Sequence, residues 1–134
     1  MKQNPFQHNT VMLIDDASID NFVNEKIIKA YAFAKNVLIH TSAKSGLEFL
    51  KNIAVIDYPA SLIPDFIFLD INMPIMDGFQ FLDMLQGLPL MPKPLKVIIL
   101  SASLNPADIE KSHEYQQVVG FFHKPLTETN LNSL

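Results

Sequence analysis

The stretch from Phe66 to Gly78 constrains this chain more than any other. Phe66-Ile67-Phe68-Leu69 is an unbroken apolar run, the pattern of a strand buried on both faces of a sheet. It ends on a carboxylate, Asp70, and Pro74 with the Asp77-Gly78 pair then turns the chain toward the next helix. Open α/β sheets gather their ligands outside the carboxyl ends of parallel strands, so an aspartate there is placed for chemistry. A lone Asp at a strand end would serve equally well as a turn or cap residue. The rest of the chain decides between the two.

Four more short apolar runs repeat the pattern: Thr10–Ile14, Asn36–His40, Val97–Leu100 and Val118–Phe122. Helical patterns alternate with them. Ser18 or Asp20 can cap the first helix, and Ile19, Phe22, Val23, Ile27, Ala30 and Tyr31 give it one apolar stripe, from which Asn24, Glu25, Lys26 and Lys29 mostly fall away. Ser42 caps the second, with Ala43, Leu47, Leu50 and Ala54 facing inward. Val55–Pro64 reads as a surface loop. The third helix runs from Gly78 to about Leu85 and is amphipathic through Phe79, Phe81, Leu82 and Leu85. Gly87 ends it, and the loop to Pro94 holds three prolines. Asn105-Pro106-Ala107-Asp108 starts a fourth helix reaching about Tyr115, and Thr127 starts a short last one. Five alternating β/α units imply a parallel sheet with helices on both faces, and right-handed crossovers bring all strand carboxyl ends to one edge. Four of those ends carry chemistry: Asp15-Asp16, Asp70, Ser101 and Lys124.

Composition narrows the function. All ten basic residues are lysines and the net charge is −4, so the arginine forks that read phosphates and base edges are missing and direct nucleic-acid binding is not expected. There is no cysteine, which excludes disulfides and thiolate metal sites. No apolar run approaches the roughly 20 residues of a membrane span, and Met1–Pro5 lacks the apolar core of a signal peptide, so a cytoplasmic protein without membrane contact is expected.

Carboxylates gathered at one sheet edge repel each other, by about 4 kcal/mol for two charges 4 Å apart at an effective dielectric near 20. Relief comes from protonation, a lysine or a cation. Oxygen ligands without His or Cys suit Mg²⁺, which often shares its site with a phosphoryl oxygen. A carboxylate can attack phosphorus to form an acyl phosphate, a transfer that needs little beyond positioning and charge neutralisation. Mg²⁺ and Lys124 would supply the positive charge and Ser101 a hydroxyl donor. Taken singly, Asp15-Asp16 would cap a helix and Lys124 would be a solvated surface residue.

As a set, Asp15-Asp16, Asp70 with Met73-Pro74 and Asp77-Gly78, Ser101-Ala102 and Lys124-Pro125 resemble the motifs of response-regulator receiver domains, the flavodoxin-like phosphoacceptors of two-component signalling. The motifs occur in the family's order and span nearly the whole chain. The resemblance implies a sheet of order 2-1-3-4-5 and a single receiver domain over residues 1–134, with about 1–8 as a polar lead-in. It implies that a sensor histidine kinase or histidine phosphotransfer protein phosphorylates Asp70. Asp16 and Asp70 would bind Mg²⁺ directly, Asp15 through water and Asn72 through its carbonyl. Lys124, Ser101, Asn72 and Ala102 would contact the phosphoryl group, and the Lys124-Pro125 bond would be cis. Ser101 and Phe121 would act as switch residues, moving the face built from the fourth helix, fifth strand and fifth helix toward a downstream protein target. The chain would be a monomer or a phosphorylation-dependent dimer, and not an enzyme beyond its own phosphoryl acceptance and loss.

Two departures stand out: the Val55–Ile63 segment is longer than the family's usual connection, and the last helix is short. Two other readings share the residues. A Mg²⁺-dependent phosphohydrolase of the haloacid-dehalogenase type would also use an aspartyl phosphate, but it needs an acid two residues after the nucleophile, where this chain has Asn72, and a nucleophile on the first strand. A receiver-like module that only binds a partner would not need the full set of polar residues found here.

Overall fold

The computed structural model describes residues 5–89 and 91–134 and contains five strands and five helices in strict alternation. These are β1 (His8–Ile14), α1 (Ser18–Ala30), β2 (Ala34–His40), α2 (Ala43–Val55), β3 (Phe66–Asp70), α3 (Gly78–Gln86), β4 (Lys96–Ser101), α4 (Pro106–Ser112), β5 (Val118–His123) and α5 (Glu128–Asn132). All pairings are parallel, and the sheet order is β2-β1-β3-β4-β5, as expected. Met1–Asn4 of the expected lead-in and Leu90 of the proline loop lie outside the described residues.

The side-chain period of two sorts the central strands between two cores. Met12, Ile14, Ile67, Leu69, Val97 and Ile99 meet α2 and α3 through Leu47, Leu50, Ile53, Phe81 and Leu82. Val11, Leu13, Phe66, Phe68, Ile98 and Leu100 face the other way, toward Ile28 of α1 and Leu131 of α5. Each such buried side chain contributes roughly 1.5–3 kcal/mol, which is why the three central strands read as continuous apolar runs. β5 is an edge strand and only half buried. Ser42 caps α2 by accepting the Ser45 N–H, and Ala43, Leu47 and Leu50 are buried as expected, while Ile53 rather than the half-buried Ala54 closes that face.

Some bounds move. β1 begins at His8, inside the expected lead-in, because the His8 ring packs on Phe33 and Phe66 while its N–H donates to the Phe33 carbonyl. β2 begins two residues early for the same ladder. The Val55–Pro64 loop holds one short 3-10 turn, Ala60–Leu62. α4 stops at Ser112 instead of Tyr115; Tyr115 turns inward, stacks on Phe79 and donates its hydroxyl to Asp83 at 2.7 Å.

Of the expected apolar stripe of α1, Ile27 packs half-buried against the core, but most of the stripe faces away from the sheet. Ile19 and Phe22 are 76% and 59% exposed, and Val23, Ala30 and Tyr31 are exposed as well. The buried residues of α1 are Asn21, Asn24 and Ile28. The two asparagines face inward because each satisfies a backbone group there: Asn21 Nδ2 donates to the Asp15 carbonyl at 2.8 Å, and Asn24 Oδ1 accepts the Leu126 N–H at 3.0 Å. Neither Ser18 nor Asp20 caps the helix; its N-cap is Ala17, without a side-chain bond.

This orientation gives opposite expectations for two substitutions on one helix. Asn24→Ala strands a buried N–H and is expected to lower stability by about 1–3 kcal/mol. Phe22→Ala removes an exposed ring and is expected to stay within about 0.5 kcal/mol of wild type. Urea unfolding of both variants checks this, and the reverse ranking would contradict the assigned face.

Candidate functional site

Parallel pairing places the carboxyl ends of β1, β3, β4 and β5 side by side, and each delivers a polar residue. Asp15 continues the ladder after β1 by donating its N–H to the His40 carbonyl. Its side chain folds back, with Oδ1 accepting the Ala17 N–H at 2.9 Å, so it is buried, whereas Asp16 is exposed. Asp70 is the last residue of β3 and only 6% exposed. Behind it the chain turns sharply. Gly78 donates its N–H to the Ile71 carbonyl, and a Cβ on Gly78 would lie 2.6 Å from the Asp70 carbonyl oxygen. Glycine is therefore required by close approach at the start of α3, while the positive φ of 71° falls on the fully exposed Ile75. Asp77 and Gln80 then form a capping box for α3.

Lys124 comes from the end of β5. Its N–H donates to the Ser101 carbonyl at 2.8 Å, which ties the ends of β4 and β5 together, and the Lys124-Pro125 bond is cis. Its ammonium lies 2.6 Å from Asp15 Oδ2, 3.0 Å from Asp20 Oδ2 and 3.3 Å from Asp70 Oδ1. Ser101 is buried at the end of β4, with Oγ accepting the Ser103 N–H at 3.2 Å. Asn72, two residues after Asp70, and Ala102, next after Ser101, are exposed, and Phe121 is half buried against the α2/α3 core. An open groove of about 320 Å³ borders the lysine, lined by Asp20, Val23, Asn24, Ala102, His123, Lys124 and Pro125.

Charge is poorly balanced at this edge. Burial, and next the charge of Asp15, push the Asp70 carboxyl up to about 6, against the opposing pull of Lys124. For Lys124 burial works against the charge, but hydrogen bonds to Asp15 and Asp20 and the charge of Asp70 outweigh it, and the ammonium is held above its ordinary range. Asp15, Asp16 and Asp70 each offer an oxygen, all within 4.8 Å of one another. A hard, all-oxygen donor set with repulsion left over after the lysine fits a divalent cation.

Sequence reasoning assembled every strand-end residue but missed the contribution of α1. Asp20 reaches Lys124, Asn21 holds the Asp15 backbone, and Asn24 holds the backbone just past Pro125. The available signal was two asparagines three residues apart inside a helix, where Asn is disfavoured unless its side chain finds a partner.

Residues 11–134 match the family described as "Response regulator receiver domain", and the chain belongs to that family. Among solved structures it is similar to a two-component response regulator from Cytophaga hutchinsonii, with 30% identity, a TM-score of 0.81, and coverage of 94% of this chain and 92% of that one. It is 26% identical over 104 residues to response regulator Rcp1 of a Synechocystis species, covering 78% of this chain and 69% of Rcp1. A solved Mn²⁺-bound form of Rcp1 has a TM-score of 0.69 at 24% identity, covering 93% of this chain and 87% of that one. A stretch of 71 residues, 53% of this chain, is 39% identical to the sensor histidine kinase CheAY of Helicobacter pylori but spans only 8% of that protein's length. The chain is thus a receiver domain of the two-component class, and its acidic cluster with Lys124 is of the kind that accepts phosphate. Among the described residues no helix is long and apolar enough to cross a membrane.

The elevated Asp70 group makes stability depend on pH. Between about pH 4 and pH 6 the folded protein holds a proton that the unfolded chain has released, so in the metal-free protein stability falls as pH rises through that window and stays low above it. A rise from 3.8 to about 6 corresponds to roughly 3 kcal/mol. Asp70→Asn is therefore expected to be more stable than wild type near pH 7 and to lose that advantage near pH 4. Thermal unfolding in a chelator reads this directly. A gap that does not change with pH would contradict the burial and repulsion assigned to Asp70.

Proposed function

We propose that this receiver domain takes a phosphoryl group from a phosphohistidine onto Asp70. The supporting observation is one lysine ammonium shared by carboxylates from different elements at a single sheet edge. In the proposed transfer an Asp70 carboxylate oxygen attacks phosphorus while the phosphorus–nitrogen bond breaks. The imidazole leaves with that electron pair and is protonated, and the product is an acyl phosphate. Asp15, Asp16, Asp70 and the Asn72 carbonyl would hold Mg²⁺, which when bound neutralises phosphoryl charge and organises the phosphoryl oxygens. The manganese-bound form of Rcp1 is in keeping with a divalent cation here. Lys124 supplies the fixed positive charge, and Ser101 with the backbone at Ala102 supplies donors for phosphoryl oxygens. The domain so described is a phosphoacceptor and not an enzyme with a separate substrate.

The donor would be a histidine kinase or histidine phosphotransfer protein in the cytoplasm, and residues 1–134 would act as one receiver unit. Phosphorylation adds about −1.5 to −2 charge and strong acceptor oxygens. Drawing the Ser101 hydroxyl toward them would take it from the Ser103 N–H and shift the loop leading to Asn105. Phe121, on the adjacent strand, would then move inward, and the surface of α4, β5 and α5 would change for a downstream target, either a partner protein or a second phosphorylated copy.

Mass spectrometry after incubation with acetyl phosphate and Mg²⁺ tests the acceptor. One phosphoryl addition per chain is expected, prevented by chelation and absent in Asp70→Asn. An addition that persists in Asp70→Asn would overturn the assignment.

A further inference from the structure

Lys124 has three N–H donors, and in the free protein three carboxylates occupy them. Asp70, the residue the lysine must serve, is the most distant at 3.3 Å. The ammonium is drawn instead toward Asp15 and Asp20. Asp15 belongs to the acidic cluster whose oxygens lie within 4.8 Å of one another, but Asp20 does not. It sits in the first turn of α1, one turn past the acidic pair, and caps nothing. The same helix is anchored close by: Asn21 holds the Asp15 carbonyl and Asn24 holds the Leu126 N–H, two residues past Lys124. α1 therefore grips the lysine segment twice, at its backbone and at its ammonium.

We propose that Asp20 is a positioning residue that tethers Lys124 to α1 and competes with the phosphoryl group on Asp70 for the lysine ammonium. The inference rests on Asp70 being the phosphoacceptor and concerns how that site is regulated. A phosphoryl oxygen gains Lys124 only by displacing a carboxylate, and Asp20 is the one that lies outside the acidic cluster. While Asp20 holds the lysine, the phosphorylated form is less stable relative to the free form than the site would otherwise make it. A partner that covers the α1 edge of the groove, where Asp20 and Val23 lie, would alter this contest directly.

Beryllofluoride, a mimic of the phosphoryl group, tests the tether when titrated with Mg²⁺ and followed by amide NMR. Asp20→Asn is expected to bind it about fivefold more tightly than wild type, the scale of a partly exposed ion pair. Asp20→Glu keeps a carboxylate in reach and is expected to stay within about twofold. The gain from Asp20→Asn should persist at about 0.5 M salt, where longer-range charge effects are screened but a direct contact is much less so. In the metal-free protein the Lys124 side-chain signals should also shift in Asp20→Asn. Unchanged beryllofluoride affinity in Asp20→Asn, with wild type binding normally, would overturn the tether and leave Asp70 as the acceptor. An equal gain in Asp20→Glu, or a gain that disappears at high salt, would overturn it too. Failure of wild type to bind beryllofluoride would overturn the acceptor reading itself, and the tether with it.

Discussion

The Lys124 ammonium is the single group on which the arrangement depends. It lies between Asp15 and Asp70, both nearly buried, and reaches out to the half-exposed Asp20. Without it two carboxylates would share a low-dielectric crevice, and leaving a buried charge unpaired costs about 3–5 kcal/mol. Even with it the balance is incomplete, since Asp70 remains hard to ionise. Burial and this residual repulsion together suit the site to a divalent cation, which under the proposed function would serve phosphoryl transfer. A sheet in which every strand runs the same way supplies the geometry, because only then do the ends of β1, β3 and β5 converge.

Around this lysine the chain spends its backbone hydrogen bonds on precision. The Lys124 N–H goes to Ser101, the Leu126 N–H to Asn24, and the Asp15 carbonyl to Asn21. The inward face of α1 carries Asn21 and Asn24 beside the apolar Ile28 for this reason. Its apolar residues Ile19, Phe22 and Val23 are left exposed, and Val23 lines the groove that borders Lys124. Exposed apolar side chains on the helix that holds the lysine segment suit a surface that another protein covers. Under the proposed function, the donor of the phosphoryl group would approach over it.

The legible and illegible parts of this molecule have different physical origins. Strands buried on both faces must be apolar throughout, so β1, β3 and β4 stood out, and the residues closing them were found with them. Capping chemistry is local, which is why Ser42, Asn105 and Thr127 could be read directly as helix starts. α1 departs from its hydropathy pattern, because periodicity assumes that the buried face is the apolar one. Here Asn21 and Asn24 are buried to satisfy distant backbone groups, six residues away for Asp15 and 102 away for Leu126, and no local pattern carries that information. Asp20 reads as a cap for the same reason: its partner is 104 residues further along the chain. Tyr115 left its expected helix for a long-range stack on Phe79 and a bond to Asp83.

The central claim is that Lys124 is stored on carboxylates and transferred to a phosphoryl group held on Asp70. A crystal structure of the complex with Mg²⁺ and beryllofluoride tests it most directly. The account predicts beryllium density continuous with an Asp70 carboxylate oxygen and the Lys124 ammonium within hydrogen-bond distance of a fluoride, displaced from its present position between Asp15 and Asp20. Density for the mimic away from Asp70, or a lysine still seated on Asp15 and Asp20 beside a fully occupied mimic, would contradict it.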